Sequence, residues 1–312
     1  MKKICALTLC ALALLLLAAC GGKTAPAYVI DGVPVSEGIY EYFRREALRE
    51  AQPTDGKTAA PSAEETAEKR CRQLVALDRY LKEHKITVRA DLKSDVASRT
   101  EGQWALFGTH YRAMGLTKQD LTRINSFDAQ KKQLVQFFYG AGGKHEVAES
   151  ELKDSFVKLY VGFKSFEGAL MTRSDTGETV PLSKEEQAAV LTQFQQMADR
   201  ANSGTDLDTL YAEYCQTQGL IVTTPLSVSL MKDGDPMYDD DFFEQVSALS
   251  HGSTGVIRTK TTVYLLQRVT IAANDEDAFA AYRDEVLYHE KLPAIEERVE
   301  KLGDEIGRTE AP

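Results

Sequence analysis

Two stretches of helical periodicity enclose a middle block of different texture in this 312-residue chain, and that interruption limits the fold more than any other feature. On the N-terminal side, Ile39, Tyr40, Phe43, Ala47 and Leu48 recur at helical spacing. They are followed by Cys71, Leu74, Leu77 and Leu81 over residues 64–84, Val96, Trp104, Phe107 and Tyr111 over 92–114, and Leu121, Ile124, Leu134, Phe137 and Phe138. Ser36 and Thr117 stand where helix caps are needed, and Asp120 three residues after Thr117 suits a capping box with a shorter acid. Residues 52–62 read as a loop, Gly115 ends the 92–114 helix, and residues 140–143 break the chain before a helix over 149–160. The middle block alternates strands at 166–172, 226–231, 255–257 and 262–270 with helices at 183–202, 206–215 and 242–249. Helix then returns over 275–306 on Phe279, Tyr282, Val286, Ile295, Val299 and Leu302, with Pro293 expected to kink it. The pattern predicts an α+β protein in which an α/β block is inserted into an all-α core.

The first twenty residues set the compartment. Lys2 and Lys3 precede an apolar run over 4–19, the charged and hydrophobic parts of a secretory signal, and the run is short for a permanent membrane span. It ends in Leu17-Ala18-Ala19-Cys20-Gly21, which resembles a bacterial lipobox, so Cys20 is the expected lipidation site. Two or more acyl chains hold a protein stably on a bilayer without spanning it. The expected location is the extracytoplasmic side of a bacterial cell membrane. Removing the leader takes two lysines and no acid, so the formal charge moves from -10 to -12. That balance, with no Lys/Arg-rich stretch, argues against a nucleic-acid partner. Cys71 and Cys215 are the thiols left once Cys20 is acylated, and both sit in apolar helical patterns that suit buried structural residues.

Order along the chain carries a family resemblance. VIDGVPVSEGIYEYF near the start, GLTKQDL before the third helix after the 52–62 loop, and EVAESELKDSF before the α/β block are similar to signatures of the PrsA/SurA family of exported foldases. Within the block, DLDTLYAEYCQTQG and DPMYDDDFFEQVSALSHGSTGVIRTKTTVYLLQRV are similar to segments of its parvulin-type prolyl isomerase domain. The resemblance implies a leader and lipobox at 1–20, a tether at 21–27 and a SurA N-terminal-like helical core at 28–160. A parvulin-like domain with a small antiparallel sheet follows at 161–273, and a C-terminal helix at 274–312 returns to the core. It further implies a membrane-anchored chaperone or foldase whose partners are unfolded or newly exported polypeptides, with a homodimer open to it. An active prolyl isomerase with a substituted site and a lipoprotein adaptor of an envelope assembly are the alternatives.

Catalysis of X-Pro isomerisation works against a barrier of about 18–20 kcal/mol and transfers no proton to product. Active parvulins are expected to use an apolar cup for the proline ring beside a polar network of two His and an Asp or Cys. Those positions fall here on Gly168, Thr217 and either Tyr264 or Leu265, and residues 161–273 contain a single histidine, His251, in a turn. Efficient catalysis is therefore not expected. Met171, Met231, Met237, Phe242 and Phe243, with Leu230, are the residues available for an apolar client-binding surface, the alternative being that they are core. No cofactor or metal is expected: Asp239, Asp240 and Asp241 lack the spacing of a calcium loop, and residues 140–144 lack that of a phosphate loop. No serine elbow and no isolated acid/base pair stands out.

Overall fold

The computed structural model describes residues 26–51, 62–222, 225–239, 241–272 and 275–310. The leader with Cys20, residues 21–25 of the tether, residues 52–61 and Asp240 lie outside them. The order begins β1 (Pro26–Ile30), β2 (Val33–Ser36), α1 (Glu37–Glu50), α2 (Ala63–Glu83), α3 (Ala90–Ala113), α4 (Lys118–Tyr139), α5 (Glu149–Leu159). It continues β3 (Tyr160–Ala169), β4 (Met171–Arg173), β5 (Thr179–Pro181), α6 (Lys184–Asn202), α7 (Leu207–Gln218), β6 (Ser229–Lys232), α8 (Phe242–Ala248). It ends β7 (Thr254–Arg258), β8 (Thr262–Val269), α9 (Glu276–Glu305) and β9 (Arg308–Glu310). The chain divides into two compact units, one holding the described residues up to Glu146 and from Lys291 on, the other Val147–Glu290. The fold is α+β, with an α/β segment inserted in sequence into a helical unit that the C-terminal residues complete.

In the helical unit, Asp31 (φ 48°) and Gly32 (φ 76°) form the left-handed pair that a tight β1–β2 hairpin requires. Strand β9, which hydrophobic pattern did not reveal, closes the other side of β1 antiparallel, giving the order β2-β1-β9. The Ser36 hydroxyl accepts from the Ile39 N–H and starts α1. Ser62 with Glu65 and Thr117 with Asp120 form full capping boxes on α2 and α4, each stabilising its helix by about 1 kcal/mol. Ile30, Val35, Ile39, Phe43, Cys71, Leu74, Leu116 and Leu121 are buried in one cluster. Each large side chain buried there contributes roughly 1.5–3 kcal/mol. From the C-terminal half of α9, Ile295 and Val299 are also buried.

The second unit is built on an antiparallel sheet of order β6-β3-β8-β7. Alternation along the strands gives it two cores. Phe166, Leu170, Val263 and Leu265 face α6 and α7, where Phe194, Leu207 and Leu210 lie. Val161, Phe163 and Leu266 face α8 with Phe242 and Val246. Strand β3 begins at Tyr160, six residues before the expected strand at 166, and the preceding helix stops at Leu159. Gly162 falls inside the strand, between Val161 and Phe163, and interrupts the apolar pattern there, so a strand could be read only from Phe166. The unit is also wider than residues 161–273. Phe156 of α5 packs its ring 5.9 Å from Phe279 and 6.0 Å from Tyr282 of α9, and Tyr160 lies 4.8 Å from Tyr282. These aromatic contacts bring both flanking helices into the α/β unit.

Candidate functional site

The three positions matched to a parvulin network do not converge. Gly168 pairs with Val263 across β3 and β8, on the face that carries Phe166, Leu265 and Phe194. Tyr264 belongs to the opposite face, with its ring 5.1 Å from that of Phe242 and its hydroxyl pKa raised chiefly by burial. Thr217 is exposed on α7, where its hydroxyl donates to the Glu213 carbonyl at 2.9 Å. Even the space at Gly168 is taken: a Cβ there would meet Cε2 and Cζ of Phe194 at 2.7 Å and Cγ1 of Val263 at 3.2 Å. His251 is exposed in its turn, with Nδ1 3.3 Å from the Thr270 hydroxyl.

The expected apolar surface also divides. Met231 and Phe242 are each 1% exposed, so they are core rather than binding surface: Met231 faces α8 from β6, and Phe242 stacks at 4.7 Å on Tyr238. Phe243 is half-buried against the same core and Met171 is half-buried on β4. Met237 alone of the five stands out in solvent, at 83% exposure. Near it in sequence, Leu220, Ile221 and Val222 are exposed after the left-handed Gly219 that ends α7. Cys71 and Cys215 are free and fully buried, Cys71 with its thiol pushed up to about 12 by burial. Among the described residues, no group of three or more His, Cys, Asp or Glu could hold a metal ion.

A recess suited to apolar chain lies instead in the helical unit, between α1 and α3. It has a volume of about 620 Å³ and is walled by Tyr42, Leu48, Phe107, Tyr111 and Met114, with Arg45, Glu46, Arg49 and His110 around them. Leu48 is 51% exposed and Phe107 53%, although both carry the helical period of core residues. The reason lies in the spacing of α1 and α3. Gly38 in the first turn of α1 meets the turn after α3 so closely that a Cβ would stand 2.5 Å from the Gly115 carbonyl oxygen and 2.7 Å from the Leu116 Cα. At that end the backbones touch, whereas around Leu48 and Phe107 side chains line an open recess. One sequence signal pointed this way: Trp104, Leu106 and Phe107 cannot all face inward at 100° per residue, and Leu106 is 76% exposed.

Charge around the recess is locally compensated. Arg45 pairs with Glu41 at 2.7 Å, and Arg49 pairs with Glu46. The Arg44 guanidinium, with help from Arg45, holds the Glu41 carboxyl down at about 2. Burial, reinforced by the Glu46 charge, pushes the Tyr42 hydroxyl up to about 12 and raises that of Tyr111. Tyr42, Glu46 and Gln103 also line a second, more polar recess of about 460 Å³ that continues past Phe127 and Asn125. The pair of recesses offers apolar walls and hydrogen-bonding groups to a ligand, and no nucleophile with an adjacent base. No described helix is long and apolar enough to cross a membrane.

No protein-family model and no curated protein matches the chain. Solved structures do. The foldase protein PrsA of Streptococcus pneumoniae is similar over 76% of this chain and 84% of its own, at 11% identity and TM-score 0.42. The foldase PrsA of Lactococcus lactis matches over 92% and 95% of the two chains, at 11% identity and TM-score 0.39. A SurA-like chaperone of Campylobacter jejuni matches over 93% and 100%, at 13% identity and TM-score 0.31.

Proposed function

We propose that this chain is a lipid-anchored, extracytoplasmic chaperone of the PrsA/SurA type, tethered through Cys20, that shields unfolded exported polypeptides. The observation that carries the reading is the recess between α1 and α3, where Leu48 and Phe107 remain half-exposed beside Tyr42, Tyr111 and Met114. Apolar surface of this kind is retained against the hydrophobic effect where a partner covers it. The exposed Leu220–Val222 segment and Met237 offer the α/β unit a contact of the same character. That unit serves binding rather than isomerisation, because the phenyl ring of Phe194 fills the space beside Gly168 and Tyr264 lies on the other face of the sheet.

The test is aggregation of a chemically denatured client diluted into buffer, followed by light scattering. Residues 21–312 at several-fold molar excess should suppress scattering, and a Leu48→Ser/Phe107→Ser double variant should lose most of that effect while keeping its helical circular dichroism. Full suppression by the double variant would remove the recess from the mechanism, and no suppression by the wild type would remove the chaperone reading. Xaa-Pro peptide isomerisation should proceed at the uncatalysed rate. Acceleration abolished at Tyr264 or Thr217 would instead identify an isomerase with a substituted site.

A further inference from the structure

The seam between the two recesses is polar, and its polarity has a direction. Gln103, Glu46 and Tyr42 are the residues that line both recesses. The Gln103 amide is oriented from behind: Asn125 Nδ2 donates to Gln103 Oε1 at 2.8 Å and to the hydroxyl of Thr100 at 3.0 Å. Asn125 and Thr100 are themselves buried, at 7% and 2% exposure, so this brace is shielded from competing water. With Oε1 occupied, Gln103 Nε2 keeps two N–H donors that no residue among those described accepts. Glu46, which lines both recesses as well, receives the Arg49 guanidinium on Oε1, which leaves the second carboxylate oxygen as an acceptor. A donor and an acceptor therefore both line the junction of an apolar recess and a polar one.

That pairing is the electrostatic complement of a peptide group, which presents one carbonyl acceptor and one N–H donor per residue whatever its side chain. We propose that the seam binds the main chain of an extended polypeptide segment, Gln103 Nε2 donating to a backbone carbonyl and Glu46 accepting a backbone N–H, while the neighbouring recess takes one apolar side chain. The inference rests on the chaperone reading and deepens it. Recognition of main chain at the seam would let one recess serve clients of unrelated sequence, since only the apolar side chain beside it is selected. Such a segment rises by about 3.3 Å per residue with alternate side chains on opposite sides. An apolar residue seated against Phe107 thus places the adjoining peptide groups within reach of the seam.

Gln103→Glu is the discriminating variant, because it keeps an oxygen for Asn125 and replaces the two donors by an acceptor. The probe is a short fluorescein-labelled peptide of alternating Leu and Ser, read by fluorescence anisotropy against residues 21–312. A second peptide has its central amide replaced by an ester, which weakens the carbonyl acceptor and removes the N–H. For the wild type, the ester should bind about five-fold more weakly than the amide. Gln103→Glu should weaken the amide peptide by a similar factor, leave Tm near that of the wild type and narrow the discrimination between the two peptides to what the Glu46 contact with the N–H alone supplies. Equal binding of amide and ester by the wild type overturns the proposal, as does unchanged amide binding by Gln103→Glu. Failure of the underlying reading looks different: Phe107→Ser would then leave peptide affinity unchanged, whereas loss of affinity in Phe107→Ser with none in Gln103→Glu sinks only the seam.

Discussion

Position 168 illustrates what a single residue type conveys. That a glycine stands where the resemblance assigns a histidine was legible from sequence. What filled the gap was not legible, because the contact with Phe194 joins β3 to a helix whose packing no local pattern specifies. The consequence is measurable. Gly168→His should destabilise the protein by about 2 kcal/mol in urea unfolding, as overpacking of a closed core does, without creating isomerase activity. The same substitution in a Phe194→Ala background should cost far less, since the clashing ring is gone. Met231 and Phe242 teach the converse lesson: residue type suggested a sticky surface, yet alternation along β6 and the inward face of α8 bury both. Leu48 and Phe107 carried the period of core and became surface.

Elements were the most legible scale in the helical unit, where period and caps agree. Ser36, Ser62 and Thr117 accept from the backbone N–H three residues on, as serine and threonine do at helix starts. Signals failed where a glycine falls inside an element, as Gly162 does near the start of β3, or where an element was too short to show a period, as in β5 and β9. The recess was not readable either, since the period of α1 and α3 gives their apolar faces and not the distance between them. Gly38 sets that distance at one end through backbone contact with Gly115 and Leu116, neither of which can swing aside. Gly38→Ala should therefore cost about 1–3 kcal/mol of stability despite alanine's better helix propensity. It should also weaken peptide binding at the recess, and urea titration with anisotropy on the same variant separates the two effects.

For the whole molecule, the texture change along the chain was enough to foresee an α/β segment within a helical chain. It did not fix the seams of that segment. The aromatic cluster of Phe156, Tyr160, Phe279 and Tyr282 recruits both flanks into Val147–Glu290. We expect residues 147–290 to fold alone with one cooperative urea transition. Joining Glu146 directly to Lys291 should leave a helical unit whose circular dichroism and single transition persist; loss of that transition would show that the units depend on each other.

The chain order of the helical unit also has a consequence in time. Its strand β1 is completed by β9, and its core takes in Ile295 and Val299 from the far end of the sequence. During synthesis at ~10 residues per second, the first four helices wait on the order of ten seconds for those partners while the α/β unit emerges and closes ahead of them. For that interval the nascent protein carries open apolar faces of its own, of the same kind it is proposed to shelter in other chains.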